Sequence, residues 1–514
     1  MSAIPLVPLV SVVRRVRPLA LVLLAASCSM SKGHVAAAPS VVAAPSSALV
    51  DVSSADGERY RDWGRNPWVD ASKDHLSTFA ADVDTASYTI MRRKLNEGTL
   101  PPAAAVRVEE YVNYFRYAFP APEPGSPFAV VMDAAPSPLA PDHLILRVGV
   151  GTQPRPAAAH EPMRLVFLVD VSGSMGSPDK LPLAKQSLKI LTANLGPRDT
   201  VSLVTYAGDT RVVLPPTGSD NKGRILAAID ELGAGGSTAM GSGLDLAYQQ
   251  AMLGLEQGVA ARVIVCSDGD ANVGPTGMSS ILQIIASRAK AGVTLSTVGF
   301  GMGNYKDDLM EQLADKGNGN SFYIDTLAAA KKVFQEQLGS TLEVMAKDVK
   351  LQVDFDPTQV AKYRLIGYEN RTIADDSFRD DKVDAGELGP GHQVTAMYEL
   401  ELTDAARRAP AALGMVRIRH KAPQGDAPAT ERTFAMAAPP AASFEAASPD
   451  LRFAFAVAAF ADVLRGQDDA QRWSLDAIAG VARATAGDDA DRRELIGLIE
   501  KARQLRGTPA TVAR

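Results

Sequence analysis

Short apolar runs alternate with helical patterns in the middle of the chain. Nearly uninterrupted apolar residues predict strands at 164–170, 200–206, 262–267, 294–300 and 321–324. Between them, apolar residues three or four positions apart predict helices at 180–194, 222–232, 242–253, 279–291 and 307–316. Strands that are apolar throughout are covered on both faces, so the pattern predicts a mostly parallel sheet between two layers of helices. Residues 210–214 follow closely on the second strand and predict a hairpin at the sheet edge.

In the segments before and after this region, the apolar residues recur with a different spacing. Strands are predicted at 128–132, 143–150, 349–355, 363–368, 393–402 and 415–420, with turn residues between them. We expect the strands before 150 and after 349 to form one β-sandwich-like domain, with the α/β domain inserted beside it. Helical spacing at 108–119 predicts one more helix. A small C-terminal region predicts helices at 450–464, 473–484 and 491–505, and the first is apolar almost all round, so it should be buried.

The N-terminus has the pattern of an export signal. Three arginines precede a short apolar run at 19–26, which is too short to span a bilayer and has the size of a signal-peptide core. It ends in Ala-Ala-Ser-Cys, which resembles a bacterial lipobox, although Ala25 stands where that motif usually has Leu. We therefore predict a lipoprotein signal peptide at 1–28 with lipidation of Cys28. An ordinary signal peptide cut near Ala26 is the alternative.

The composition limits the classes of partner to expect and indicates how the fold is stabilised. Lys plus Arg number 53 and Asp plus Glu number 59, a formal net charge of −6, so nothing favours a nucleic-acid partner, which needs a basic surface. The second of the two cysteines, Cys266, lies in an apolar strand and is expected to be a small buried side chain. Without a disulfide, the chain must be stabilised by its core. No later segment predicts a transmembrane helix.

Oxygen-bearing side chains follow the first strand of the predicted parallel sheet. Asp170, Ser172 and Ser174 form an Asp-x-Ser-x-Ser motif at its carboxyl end, where open α/β sheets bind ligands. One carboxylate and two hydroxyls are the donors that a hard cation such as Mg²⁺ prefers. The alternative is a purely structural role, in which Asp170 and Ser172 cap the following turn.

Two further segments complete a recognisable pattern. A glycine-rich stretch at 233–236 leads into Ser237 and Thr238 before a helix, and Ser-Asp-Gly-Asp at 267–270 ends the next strand. With the first motif they resemble the metal-ion-dependent adhesion site of von Willebrand factor type A domains. The resemblance implies a Rossmann-like fold and the metal ligands Asp170, Ser172, Ser174, Thr238 and Asp268. Ser237 and Asp270 are the alternatives in the second and third loops.

The same resemblance implies a binding mechanism. In such domains the hydroxyls bind the metal directly and the carboxylates often act through water, so the ion keeps positive charge and an open coordination position. An acidic side chain of a partner protein fills that position. The expected ion is Mg²⁺, with Mn²⁺ or Ca²⁺ as alternatives.

The segment before the α/β domain carries a second resemblance. The stretches at 79–88, 92–95, 100–102, 106–110 and 113–115 are similar to the N-terminal region of YfbK-type bacterial lipoproteins, which have a type A domain in the middle. Within them, Asp82 and Asp84 are interpreted as a solvated turn before a helix, with a second metal site as the alternative.

We predict six segments. They are a signal peptide at 1–28, a flexible tether at 29–59, a family-specific region at 60–160, the type A domain at 161–346, a β-rich domain at 347–445 and a helical region at 446–514.

The predicted function is a metal-dependent protein-binding, adhesion or scaffold module, exported and lipid-anchored to a membrane of the cell envelope. The chain is not expected to be an enzyme. A nucleophile elbow needs Gly where Ser172 stands, and Asn304 replaces the last Gly of a dinucleotide fingerprint. A metal-dependent hydrolase using the ion or Ser174, and a structural envelope protein with a vestigial site, are the alternatives.

Overall fold

The computed structural model describes most of the chain after residue 49. The described residues are 50–53, 57–140, 142–155, 161–237, 240–253, 259–270, 277–303, 305–336, 342–408, 411–423, 427–436, 439–466 and 473–507. The predicted signal peptide, Cys28 and the candidate ligand Thr238 lie outside them.

The described elements fall into three groups along the chain. The first group is β1 (Val50–Ser53), β2 (Arg59–Asp62), β3 (Val69–Asp70), β4 (Leu76–Ala80), α1 (Ala86–Asn96), α2 (Val108–Asn113), β5 (Phe128–Pro136) and β6 (His143–Thr152). The second is β7 (Met163–Asp170), α3 (Leu181–Asn194), β8 (Thr200–Tyr206), β9 (Arg211–Gly218), α4 (Lys222–Asp230), α5 (Met240–Met252), β10 (Ala260–Ser267), α6 (Met278–Lys290), β11 (Val293–Phe300), α7 (Asp307–Lys316), β12 (Ser321–Ile324) and α8 (Leu327–Lys331). The third is β13 (Ala346–Phe355), β14 (Val360–Ile366), β15 (Gly386–Leu388), β16 (Gln393–Leu402), α9 (Asp404–Arg408), β17 (Gly414–Lys421), β18 (Thr430–Ala435), α10 (Pro449–Leu464), α11 (Leu475–Thr485) and α12 (Ala490–Gly507).

The second group forms the predicted α/β fold. Its six strands have the order β12-β11-β10-β7-β8-β9, and all neighbours are parallel except the β8–β9 pair at the edge. Alternate residues of β7 belong to different cores, since Leu165 and Phe167 pack with Leu188 of α3, whereas Val166 and Leu168 pack with Leu244 of α5. The strand is apolar throughout because both of its faces are covered. The predicted fold class is confirmed.

Strands from both ends of the chain share two further sheets. One has the order β15-β13-β17-β18, with β4 also paired to β13, and the other has the order β3-β14-β16-β6-β5. Their inner faces share one apolar core, which includes Leu146 of β6, Leu351 of β13 and Tyr398 of β16. The α/β region is therefore an insertion between strands that pair with one another, as the pattern predicts.

The helix predicted at 108–119 is wrong in its second half, because α2 ends at Asn113. Phe119 continues the apolar spacing for another reason: its ring lies on β6, where a Cβ on Gly149 would come 2.9 Å from it. Pro120 also disfavours a helical residue immediately before it.

The helix α10 is buried almost all round, as predicted. Phe453, Val457 and Phe460 are fully buried, and the helix packs on α2, α11 and the β6–β16 sheet. None of the helices in the part of the chain that the structure describes is both long and apolar enough to cross a membrane.

Part of the predicted tether has structure. The strand β1 pairs with β2, and Glu58 is fully buried beside Arg93 and Lys94, with oxygen–nitrogen distances of 2.7 Å and 2.9 Å. Residues 29–49 of the predicted tether lie outside the described residues.

Candidate metal centre

Asp170 ends β7 at the carboxyl edge of the parallel sheet, between β8 and β10. Its side chain is fully buried. Oδ1 accepts a hydrogen bond from the backbone N–H of Ser172 at 2.9 Å, and Oδ2 accepts one from the Ser267 hydroxyl at 3.1 Å. These bonds fix the carboxylate at the point where the loops after β7 and β10 meet.

The other candidate ligands of these two loops lie beside it. The Oγ atoms of Ser172 and Ser174 are 3.0 Å apart. Asp268, the residue after β10, is fully buried, and Ser174 lies near enough to act on its carboxyl group by lowering its pKa. The structure thus brings Asp170, Ser172, Ser174 and Asp268 together.

The glycine-rich loop packs against the first loop through its backbone. The N–H of Gly235 donates to the carbonyl of Val171 at 2.7 Å, and the N–H of Gly173 donates to the carbonyl of Gly236 at 3.1 Å. Gly236 has a φ of +86°, and a Cβ there would come 2.9 Å from the backbone nitrogen of Gly208. The loop holds Ser237, the alternative ligand, next to this junction, and Thr238 stays a prediction.

The two carboxylates have different electrostatic surroundings. Burial, assisted by the charge of Asp268, raises the pKa of Asp170 to about 6. Burial also acts to raise the pKa of Asp268, but the Lys180 ammonium group at 3.0 Å and the hydrogen bonds hold it below its usual value. Among the described residues, no cation forms an ion pair with Asp170. A buried carboxylate without a counter-charge and two adjacent hydroxyls fit a hard divalent cation.

Lys180 is a member of this site that the sequence analysis did not identify. It immediately precedes α3, is 6% exposed, and reaches across Gly301 to Asp268. A Cβ on Gly301 would come 2.1 Å from Lys180 Cγ, so only glycine leaves room for this path. A lysine at the start of a predicted helix gives no indication in the sequence that its side chain turns into a site.

Asp82 and Asp84 do not form a solvated turn, and that interpretation is wrong. They are 5% and 3% exposed, and carboxylate oxygens of Asp82, Glu109 and Glu110 lie within 4.8 Å of one another. Arg371 forms ion pairs with Asp82 at 3.1 Å and Asp84 at 3.2 Å.

Two arginines link this acidic cluster to helix α7 of the α/β region. Arg371 also pairs with Asp315 of α7 at 2.6 Å, and Arg107 pairs with both Asp307 and Glu311 of α7 at 2.8 Å. The cluster is part of an ionic network that joins α7 to the flanking segments, so we assign it a structural role.

Comparison with known proteins gives family matches along the chain. The model described as "von Willebrand factor type A domain" matches residues 165–336, which include all five predicted ligands. The model "von Willebrand factor" matches 54–147, and "Uncharacterized protein YfbK, C-terminal" matches 340–505.

Curated relatives extend this similarity. The chain is 39% identical over 497 residues to the uncharacterized protein YfbK of Escherichia coli (strain K12), covering 92% of this chain and 85% of that protein. It is 29% identical over 203 residues to a UPF0353 protein of Mycolicibacterium vanbaalenii, covering 34% and 60%.

Among solved structures, the von Willebrand factor type A protein from Catenulispora acidiphila is 17% identical, with a TM-score of 0.42 and coverage of 73% of this chain and 89% of that one. The ArnB paralog VWA2 from Sulfolobus acidocaldarius is 15% identical, with a TM-score of 0.35 and coverage of 74% and 98%.

Proposed function

The chain belongs to the YfbK family and contains a von Willebrand factor type A domain, and from this premise we propose that it is a divalent-metal-dependent protein-binding module of the cell envelope. Domains of this type are protein-interaction modules and commonly bind a divalent metal. The metal, the ligands and the location are the proposed parts.

One observation supports the proposed metal site above all others. Asp170 is fully buried, its pKa is raised to about 6, mainly by burial, and the hydroxyls of Ser172 and Ser174 lie beside it in a loop fixed by backbone hydrogen bonds. Isolated buried carboxylates are strongly unfavourable, so a cation at this position would stabilise the ionised form. We propose Asp170, Ser172, Ser174 and Asp268, with Thr238 from the second loop, as the ligands of Mg²⁺.

The partner follows from the chemistry of such a site. When bound, the ion supplies positive charge and a coordination position for a foreign oxygen ligand. Neutral hydroxyls contribute donors without cancelling that charge, which favours an anionic oxygen from the partner. We propose that the chain captures a carboxylate of an acidic residue on another protein.

A binding role agrees better with the hydroxyl contacts than hydrolysis does. Ser174 Oγ lies 3.0 Å from Ser172 Oγ, and the nearby Asp268 carboxyl group has a pKa below its usual value. A nucleophilic serine needs a neighbouring base that can accept its proton near neutral pH. Type A and YfbK-like proteins are in general non-catalytic interaction modules.

The test of the metal site is calorimetric titration of the full chain with Mg²⁺. We expect Asp170→Asn to abolish binding, since the amide keeps the shape but not the charge. Asp376→Asn, in an exposed acid of the β region, is the control and should bind as the unchanged protein does. Equal Mg²⁺ affinity in Asp170→Asn and the unchanged protein would contradict the proposal.

We propose that residues 1–28 direct export and that a lipid on Cys28 anchors the chain to a membrane of the envelope. Two or more acyl chains hold a protein stably at a bilayer. Metabolic labelling with a radioactive fatty acid should mark the unchanged protein and not Cys28→Ser. Equal labelling of both would show that Cys28 is not the attachment point.

A further inference from the structure

Lys180 lies in the candidate metal centre as a built-in cation. Its ammonium nitrogen is 3.0 Å from Asp268 Oδ2, and the side chains of the pair are 8% and 0% exposed. Two features fix this position. The Lys180 backbone carbonyl accepts the N–H of Ala184 at 2.8 Å in the first turn of α3, and Gly301 leaves space for the lysine stem.

The charges of the site follow directly. Asp170 and Asp268 are two buried carboxylates, and the Lys180 ammonium group forms an ion pair with Asp268. Without metal the three ionised side chains leave one net negative charge. With a divalent ion the sum becomes one net positive charge, whereas the two carboxylates alone would cancel the ion.

We propose that Lys180 determines the specificity of this site: its ammonium group competes with the divalent ion for Asp268 and leaves the loaded site net positive, so that it selects an anionic partner. This inference rests on the proposed function. It adds that the charge of Lys180 lowers the affinity for the metal ion and raises the affinity for the partner.

Removing the charge of Lys180 therefore has three expected consequences. In Lys180→Met, Mg²⁺ binds about tenfold more tightly, because a nearby unit charge no longer opposes the ion. Immobilised poly-L-glutamate binds about tenfold more weakly at saturating Mg²⁺, because the loaded site has lost its net positive charge. In EDTA the Tm falls, because the buried Asp268 carboxylate loses its ion pair with Lys180, and Mg²⁺ restores it.

Matched variants separate charge from shape. Lys180→Arg keeps the charge and should stay close to the unchanged protein in all three measurements. Lys189→Met removes a lysine from the same helix, where it pairs with the exposed Asp230, and should change none of them. If Lys180→Met does not fold in EDTA, Lys180→Gln purified in Mg²⁺ gives the two affinities.

The outcomes distinguish a failure of this inference from a failure of the proposed function. If the unchanged protein and Lys180→Met bind Mg²⁺ equally, or if Lys180→Arg shifts as far as Lys180→Met, the inference is overturned and the metal site stands. If Lys180→Met binds Mg²⁺ and the unchanged protein does not, Lys180 competes as inferred and the proposed function fails. If neither binds, both fail.

Discussion

Arg92 donates two hydrogen bonds to Asp325, from Nη2 at 2.6 Å and from Nε at 2.9 Å, and their side chains are 5% and 4% exposed. The pair joins α1 to the end of β12. Asp325→Ala would leave the guanidinium buried without its main counter-charge, so we expect the free energy of unfolding to fall by about 3–5 kcal/mol in urea titration.

An exposed pair provides the control for that measurement. Arg483 and Glu500 are 2.9 Å apart, with side chains 60% and 47% exposed. Glu500→Ala should lower the free energy of unfolding by at most about 1 kcal/mol, because water screens the pair. Similar losses in Asp325→Ala and Glu500→Ala would show that the buried pair stabilises the fold no more than the exposed pair does.

The buried acids next to α7 predict a stability that depends on pH. Burial, with the charges of Glu369 and Asp82, raises the pKa of Glu109 to about 7, and burial raises that of Glu110 to about 8 despite Arg107. In the unfolded chain both carboxyl groups have a pKa of about 4.3. The folded state therefore binds more protons over this interval, and the free energy of unfolding should fall as pH rises from about 4.5 to about 8.

A neutral replacement tests this origin of the pH dependence. Glu109→Gln resembles the protonated acid and can still accept the N–H of Tyr368, which lies 3.0 Å from Oε2. Its free energy of unfolding should decline less between pH 5 and pH 8 than that of the unchanged protein. Glu500→Gln, at an exposed acid of α12 that pairs with Arg483, should leave the decline as it is, and a decline in Glu109→Gln equal to that of the unchanged protein would contradict the assignment.

Cys266 should be chemically inert in the folded protein. It is fully buried, and burial raises the pKa of its thiol to about 12, so almost no thiolate is present or reachable at neutral pH. In Cys28→Ser it is the one remaining thiol. Iodoacetamide should label this variant in denaturing urea and not under native conditions. Rapid labelling of the native chain, followed by mass spectrometry, would show that β10 opens.

The loop before α5 can be tested with two glycines. Gly236→Ala places a side chain at a φ of +86° and 2.9 Å from the Gly208 nitrogen, a strain of about 1–3 kcal/mol, and should weaken Mg²⁺ binding by displacing the second loop. Gly233→Ala is the control, since nothing lies within 4 Å of its Cβ. Calorimetric titration should show weaker binding only in Gly236→Ala, and unchanged affinity in both would mean that this loop does not form the site.

The order of the elements and the proximity of four candidate ligands could be predicted because both depend on local patterns. Apolar runs mark strands that are covered on two faces, and a strand end marks where Asp170 and Asp268 must lie. Adjacent parallel strands then bring their ends together, which explains why two motifs nearly a hundred positions apart meet.

Lys180 and the α7 network could not be predicted because their positions depend on distant partners. The path of Lys180 to Asp268 requires the absence of a side chain at Gly301, and the burial of Asp82 requires Arg371. Phe119 misled the helix prediction for a related reason, since its spacing matches α2 while its ring packs on β6.

The pairing of β4 with β13 also constrains the order in which the molecule can assemble. The described strands of the α/β sheet are contiguous in the chain, so their pairing needs no strand after residue 324. The strand β4 must wait for residue 346 and beyond, and β6 must wait for β16 on one of its edges. Until then these edges are open to pairing with other chains, which exposes the N-terminal segment to aggregation.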